Sequence, residues 1–151
     1  MKEVIQQFYQ SFQQLDAEGM VKCYHKEVVF EDPAFGRLEG VRAANMWRML
    51  CDSQKGRDFA IKYTKVTEDS AYWEAFYTFS PTGRKVHNKI IAQFEFKEGL
   101  IVRHTDFFDL HRWAKQAMGF KGAILGWSEY FKKKLRQQTH RMLEKYEQRH
   151  S

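Results

Sequence analysis

Beyond residue 58 the chain changes from helical spacing to long β-rich runs, and this change constrains the fold more than any other feature. The runs cover residues 58–67, 70–80, 86–97 and 100–110. Short polar breaks separate them, and Pro81-Thr-Gly83 is the clearest turn. Because strands joined by short breaks pair with each other, the sequence predicts a mostly antiparallel meander.

Helical spacing precedes these runs and returns after them. Val4, Ile5, Phe8 and Phe12 predict an amphipathic helix over residues 3–16. The other predicted elements are a short helix around 20–24, a short strand at 28–32 ended by Pro33, a helix over about 41–52, and helices over about 111–118 and 122–148. Together they predict an α+β domain in which a cone-shaped, curved sheet wraps around the N-terminal helices and leaves a cavity.

Composition narrows the classes of protein that remain. A length of 151 residues fits one domain, and no window is apolar enough for a membrane span. The N-terminus is too polar for a secretion signal, and Cys23 and Cys51 fit neither a metal site nor a disulfide framework. We therefore expect a cytoplasmic protein with reduced thiols. Residues 121–151 hold 8 Lys/Arg and 3 Asp/Glu, against 17 and 16 in residues 1–120, so the basic charge belongs to the tail.

The segment Phe30-Glu-Asp-Pro33 is the first of several that match a known protein family. With FYQSFQQLDAEGMVKCYHKEVVFEDPAFGRLEG at 8–40, GRKVHNKIIAQFEF at 83–96 and GLIVRHTDFFDLHRW at 99–113, the sequence resembles the SnoaL-like, ketosteroid-isomerase-like branch of the nuclear transport factor 2 superfamily. The resemblance implies a conical domain over residues 1–113 and a basic amphipathic helical extension over 114–151. The tail at 118–136 is similar to a subgroup without an assigned reaction. This fold hosts both enzymes and binding modules.

In the isomerases that this sequence resembles, Glu-Asp-Pro carries the general base, which matches Asp32 here. Those enzymes also need two oxyanion donors, whose positions fall on Phe8 and Ala92, with Tyr9 one residue away. Neither Phe8 nor Ala92 can donate a hydrogen bond. Because each such donor typically lowers the barrier by about 3 kcal/mol, we do not expect steroid isomerisation by the usual mechanism.

The last strand offers other polar groups. His104, Asp106 and Phe108 alternate, so they share one face, and the matching strand of the family turns that face inward. His104 and Asp106 lie about 7 Å apart along such a strand, so we expect them to converge on one substrate atom or water rather than touch. Asp106 is the expected proton-transferring carboxylate. His104 is expected to orient it or to take the second proton, and Asp32 is the alternative base.

Structural roles are the alternatives for the same residues. Asp32 before proline can be a turn acceptor, and His104 and Asp106 can satisfy each other inside the sheet. Asp109 is expected to cap the helix that follows it. Asn88 is the one polar residue of its strand expected to face inward, where it either lines the cavity or makes a structural hydrogen bond.

Aromatic residues are expected to form the wall of a closed-ended apolar pocket. The residues predicted to bind substrate are Phe8, Phe12, Trp47, Trp73, Tyr77, Asn88, Phe94 and Phe108. Such a wall suits a flat apolar ligand of polyketide, terpenoid or steroid type, and no motif for a metal or a cofactor is present. Two functions stay open: an isomerase, cyclase or hydrolase that works by acid–base catalysis, and a non-catalytic binding or interaction module.

Two surfaces are expected to meet partners. The outward residues of one strand, Tyr72, Glu74, Phe76 and Thr78, predict a homodimer through the outer face of the sheet. The C-terminal helix is expected to pack on the domain or on a partner subunit. Its alternative is a weak contact with a membrane surface, because Lys132–Lys134 and Arg136 lie beside apolar residues. The sequence carries no nucleic-acid-binding motif.

Overall fold

The computed structural model describes residues 1–150 and contains six helices and one six-stranded sheet. The helices are α1 (Lys2–Gln13), α2 (Ala17–Val21), α3 (Val41–Gln54), α4 (Leu110–Met118), α5 (Phe120–Leu125) and α6 (Glu129–Arg149). The strands are β1 (Tyr24–Asp32), β2 (Gly36–Glu39), β3 (Ala60–Thr64), β4 (Ser70–Phe79), β5 (Arg84–Lys97) and β6 (Leu100–Phe107).

The strands form one curved, mixed sheet in the order β2-β1-β6-β5-β4-β3. Every neighbouring pair is antiparallel except β1 and β6, so the predicted mostly antiparallel sheet is confirmed. Two features differ from the sequence expectation. Strand β2 was not predicted, and Tyr24, expected in a short helix, begins β1. The parallel contact between β1 and β6 joins segments about 75 residues apart in sequence, which local patterns do not reveal.

Alternation along the strands separates an inner from an outer face. On β5, Val86, Ile90, Ala92 and Phe94 are buried, while the residues between them are partly or fully exposed. Helices α1 and α3 cover the inner face with buried residues that include Phe8, Phe12, Met46 and Trp47. The α+β cone predicted from the period change is therefore confirmed, and its interior is a continuous apolar core.

The C-terminal helices follow β6 and pack at two places, α4 on the sheet and α6 on the turn after β1. Asp109 caps α4, because its side chain accepts the backbone N–H of Arg112 at 3.0 Å, as the sequence predicted. Helix α4 packs against β5, so the domain boundary predicted after residue 113 falls inside α4. Helix α6 then crosses the turn after β1, where the Thr139 hydroxyl donates to the Ala34 carbonyl at 3.1 Å, and it buries Leu143 completely.

Close approach of α5 to α4 depends on glycine. A Cβ atom built at Gly122 would lie 1.9 Å from the carbonyl oxygen of Ala114, far inside van der Waals contact. A Cβ atom at Gly126 would lie 2.7 Å from the side chain of Ala114. Small residues of α5 therefore face the domain, and its large residues are turned outward.

Candidate functional site

A chain of hydrogen-bonded side chains crosses the core from α3 to β4. The indole N–H of Trp47 donates to the Tyr24 hydroxyl at 2.8 Å, and that hydroxyl lies 2.8 Å from Nδ1 of His104. On the other side of the ring, Nε2 of His104 lies 2.9 Å from Oδ1 of Asp106. The indole N–H of Trp73 also reaches this oxygen, at 3.4 Å. All five side chains are buried, so each hydrogen bond replaces water that the core excludes.

The direction of each hydrogen bond follows from which groups can donate. When Asp106 is ionised it only accepts, so Nε2 of His104 carries the hydrogen and Nδ1 is left as an acceptor. The Tyr24 hydroxyl then donates to Nδ1 while accepting from Trp47. Burial raises the pKa of Tyr24 well above its ordinary value, which keeps this hydroxyl protonated. The network therefore fixes one tautomer and one orientation of the imidazole.

The two carboxylate oxygens of Asp32, at the end of β1, have different surroundings. Its Oδ1 accepts the backbone N–H groups of Ala34 at 3.0 Å and Phe35 at 2.6 Å, which is the predicted turn role. Its Oδ2 has no hydrogen-bond partner among residues 1–150. Burial raises the pKa of the Asp32 carboxyl to about 7, and the charge of Asp106 adds to this, although the two amides act in the opposite direction.

Asp32 and Asp106 line the same open pocket, whose volume is about 470 Å³. Its apolar wall comes from Pro33, Phe107, Phe108, Leu110 and Trp127. Helix α6 adds Lys132 and Arg136 to the rim. Because Oδ1 of Asp106 is held by His104 and Trp73, the oxygen left without a partner is Oδ2. Two carboxylates with free oxygens thus meet at one pocket.

The structure brings only part of the predicted constellation to this pocket. His104 and Asp106 face inward, with exposures of 0% and 3%. Alternation predicted that they share a face, and the family resemblance implied that this face is the inner one. The expectation that they do not touch is wrong, because the imidazole extends along the strand and reaches the carboxylate at 2.9 Å. His104 lies behind Asp106 and is not part of the pocket wall.

Most of the predicted apolar wall lies in the core instead. The Phe12 ring contacts Trp47 and Trp73, with centroids 5.2 and 5.4 Å apart. The rings of Phe8, Phe30, Trp47 and Phe94 surround His104. Of the residues predicted to bind substrate, Phe108 alone lines the 470 Å³ pocket. Helices α1 and α3 cover the inner face of the sheet, so the inward rings pack against one another and fill the core. These rings belong to Phe8, Phe12, Trp47, Trp73 and Phe94.

The remaining predicted residues lie elsewhere on the inner face. Tyr77 is partly buried, and its hydroxyl accepts the indole N–H of Trp113 at 2.7 Å. Asn88 faces inward beside Ala75, as predicted, and its side chain makes no hydrogen bond within residues 1–150. The two positions that lack an oxyanion donor are also in place: Phe8 packs on His104, and Ala92 pairs with Asp106 across the strands.

Sequence reasoning missed the residues that support and enclose the site. Tyr24 holds His104 because β1 and β6 are parallel neighbours, a pairing with no local signal. Tyr9 has a buried hydroxyl without a partner, and burial, with the charge of Asp106, raises its pKa well above the ordinary value. Trp127, Lys132 and Arg136 reach the pocket because α5 and α6 fold back over the end of β1.

Within residues 1–150, no group of three or more His, Cys, Asp or Glu side chains is arranged to hold a metal ion. None of the helices in that range combines the length and apolarity that a transmembrane span requires.

Comparisons with known proteins agree with this architecture. A family model described as a SnoaL-like domain matches residues 5–104, and curated protein sequences give no match. Among solved structures, an LEH-like epoxide hydrolase of M. tuberculosis is 21% identical, with a TM-score of 0.55 over 82% of this chain and 89% of that chain. A candidate polyketide cyclase of Silicibacter sp. TM1040 is 18% identical, with a TM-score of 0.59 over 76% and 93%. A candidate isomerase of Bacillus subtilis is 22% identical, with a TM-score of 0.57 over 78% and 91%.

Proposed function

This chain belongs to the SnoaL-like domain family, and we propose that it is an acid–base enzyme acting on a small apolar substrate. The reaction would be an isomerisation, a cyclisation or a hydrolytic ring opening at the pocket where Asp32 and Asp106 meet. One observation carries the proposal: a buried carboxylate, oriented by an imidazole through one oxygen, presents its other oxygen to an open pocket.

Asp106 is the proposed base. Its Oδ1 is held by His104 and Trp73, so its Oδ2 is oriented before any substrate arrives. His104 does not reach the pocket and is a positioning residue. The hydrogen that Nε2 donates stabilises the ionised carboxylate, which is the form that accepts a proton.

Asp32 is the proposed acid. With its pKa raised to about 7, a substantial fraction of this carboxyl keeps its proton near neutral pH, whereas an ordinary aspartate would be ionised. In a hydrolytic ring opening, Asp106 takes a proton from water and the water oxygen bonds to the substrate carbon. The carbon–oxygen bond of the ring breaks, and Asp32 gives its proton to the leaving oxygen. The proton taken up by Asp106 then returns to Asp32 through solvent, so the net change is the addition of one water molecule.

The pocket wall and the fold neighbours support an apolar substrate. Pro33, Phe108, Leu110 and Trp127 supply apolar surface, while Phe8 and Ala92 leave the site without the two usual oxyanion donors. Water activation and ring closure need such donors less than enolisation does. We therefore favour hydrolytic ring opening or cyclisation over isomerisation. The neighbours include proteins described as an epoxide hydrolase and as a candidate polyketide cyclase.

The test compares substitutions at Asp106 and Asp109, two aspartates that line the same pocket. Wild-type protein is incubated with styrene oxide in oxygen-18-labelled water, and with 2-indanone in deuterated water to detect exchange of protons beside the carbonyl. Asp106→Asn is expected to lower the rate with the active probe by about 100-fold or more. Asp109→Asn is the matched control, because asparagine also caps a helix, and its rate should stay within about threefold. A rate for Asp106→Asn within about threefold of wild type would contradict the proposal.

A non-catalytic binding module is the second candidate. It is favoured by the completeness of the buried network, since both ring nitrogens of His104 have partners within the chain. In that case both probes should bind without turnover, and native mass spectrometry of the purified protein should reveal a retained apolar ligand.

We also propose a homodimer through the outer face of the sheet. Tyr72, Ile91 and Phe107 are registered side by side on three strands, and Ile91 and Phe107 are 55% and 50% exposed. Glu74 and Lys89 place both signs of charge on the same face, which suits contact with a second copy. Sedimentation at micromolar concentration should show a dimer for wild type and a monomer for Ile91→Lys, and a wild-type monomer would contradict it.

A further inference from the structure

The segment from Gly119 to Arg136, here the α5–α6 surface, exposes more large apolar side chains than any other part of the described chain. The exposed side chains are Phe120 (80%), Ile124 (50%), Leu125 (49%), Trp127 (67%) and Tyr130 (69%). Single exposed apolar residues are ordinary on protein surfaces, but five within eleven residues form a patch that needs an explanation.

Local packing explains why these side chains point outward. Gly122 lies on the inner side of α5 and Gly126 directly follows the helix, and a Cβ atom at either position would collide with Ala114. The helix therefore presents small residues to the protein and large residues to solvent, the reverse of an ordinary amphipathic helix. The apolar patch is a consequence of how α5 is docked, because nothing larger than glycine fits beneath it.

Charge accompanies the patch. Residues 119–136 contain five basic residues and one acidic residue, Glu129. Glu129 pairs with Lys132 at 3.3 Å, and Arg136 lies close enough to Asp32 for its charge to lower the pKa of that carboxyl. The other three basic side chains, Lys121, Lys133 and Lys134, have no acidic partner within residues 1–150. The Lys134 ammonium lies 5.7 Å from the centre of the Tyr130 ring, which interleaves charge with aromatic surface.

We propose that the α5–α6 surface docks on anionic lipid membranes. The aromatic rings would sit at the headgroup level, the aliphatic side chains would enter the boundary with the acyl chains, and the lysines would contact acidic headgroups. The protein lies on such a surface without crossing it, which agrees with the absence of a spanning helix in residues 1–150.

Charge decides between lipid and a second copy as the occupant. A two-fold contact would place this surface against itself, and its unpaired lysines would then repel one another. The outer face of the sheet carries both signs of charge and does not share this problem. Nucleic acid would satisfy the lysines, but Ile124 and Leu125 have no partner on a phosphate backbone.

Docking would have a consequence for the pocket. Trp127 and Lys132 belong to the α5–α6 surface and also line the pocket that contains Asp32 and Asp106. A membrane bound at this surface therefore lies beside the pocket mouth. An apolar molecule dissolved in the bilayer would reach the carboxylates without crossing bulk water.

The experiment is co-sedimentation of the full chain with vesicles. Binding is expected to phosphatidylcholine vesicles with about one third phosphatidylglycerol, and not to pure phosphatidylcholine. Lys133→Gln should weaken binding about fivefold, and Trp127→Ser about tenfold. The matched controls are Lys145→Gln and Met142→Ser, which remove the same charge and a similar apolar side chain from α6 outside the surface, and both should bind like wild type.

Three results would overturn the proposal. The first is equal binding to both kinds of vesicle, or to neither. The second is a change of oligomeric state in Trp127→Ser without lipid, with vesicle binding unchanged, which would assign the surface to a second copy. The third is binding of a single-stranded oligonucleotide that depends on Lys133 when vesicles are not bound. All three are read without turnover, so they stand apart from any failure of the proposed enzyme activity.

Discussion

His104 and Trp127 represent two contrasting regions of the molecule. One has a polar side chain buried in the core, and the other has a large apolar side chain exposed at the surface. His104 is polar and fully buried on β6, and both ring nitrogens have hydrogen-bond partners within 2.9 Å. Trp127 follows α5, is 67% exposed, and its indole makes no hydrogen bond within residues 1–150. The network around His104 is thus satisfied within the chain, whereas the C-terminal helices leave large apolar side chains exposed. The pocket lies where the two regions meet.

Removing the centre of the buried network should have the largest effect. His104→Ala leaves the Tyr24 hydroxyl without an acceptor, leaves Asp106 with only the 3.4 Å contact from Trp73, and opens a cavity. The free energy of unfolding should therefore fall by about 3 to 5 kcal/mol. His87→Ala, on the partly exposed outer face, should cost about 0.5 kcal/mol. Urea denaturation measures both, and similar losses for the two variants would remove the contrast between interior and surface.

Two adjacent residues of α6 test how firmly the extension is attached. Leu143 is fully buried and Met142 is 57% exposed, so Leu143→Ala should cost about 3 kcal/mol and Met142→Ala less than about 0.5 kcal/mol. The difference should appear as a lower melting temperature for Leu143→Ala alone. Equal melting temperatures would mean that α6 is not held against the domain.

Loss of one hydroxyl tests the network without a large cavity. Tyr24→Phe leaves the indole N–H of Trp47 and Nδ1 of His104 unpaired, which should cost about 2 kcal/mol. Tyr130→Phe removes the same atom from a side chain that is 69% exposed and should leave stability unchanged. Chemical denaturation of the pair isolates the buried hydroxyl, and no loss in Tyr24→Phe would show that it does not bridge these groups.

Asp32 should make stability depend on pH. Its pKa is about 7 in the folded protein against 3.8 for an ordinary aspartate, so the folded state holds the proton more tightly than the unfolded state. Stability present below about pH 4 is therefore lost as the pH rises towards about 7 and stays lost above it. Asp32→Asn cannot ionise and should be more stable than wild type by up to about 4 kcal/mol at about pH 8, and equal at about pH 4. Melting curves at the two pH values check this, and an equal difference at both would contradict the assigned pKa.

Much of the fold was available from local patterns. The change of period at residue 58 indicated four long strands, and alternation on β6 placed His104 and Asp106 on one face. Both rest on neighbours in sequence, which the side-chain period encodes directly. Strand β2 and the parallel contact of β1 with β6 depend on segments distant in sequence, and no local signal marks them.

The site was less predictable than the fold for a related reason. Helical spacing correctly placed Phe12 on the buried side of α1, and alternation correctly turned Trp73 inward, but neither pattern could tell whether inward rings surround a void or fill it. The pocket depends on α5 and α6 folding back over Asp32, and that return depends on close contacts such as Gly122 against Ala114. Such contacts are tertiary, so the sequence pattern of the tail indicated a helix but not its position.

We infer that the ligand site lies at the junction of the sheet domain and the C-terminal helices. The chain contains four tryptophans, and each reports on a different place. Trp127 lines the pocket and Trp73 contacts Asp106, whereas Trp47 and Trp113 donate to Tyr24 and Tyr77 inside the protein. In an NMR titration with 2-naphthol that follows the indole N–H signals, those of Trp127 and Trp73 should shift while the other two stay in place. Shifts of Trp47 and Trp113 with Trp127 unmoved would place the ligand among the core rings and contradict the claim.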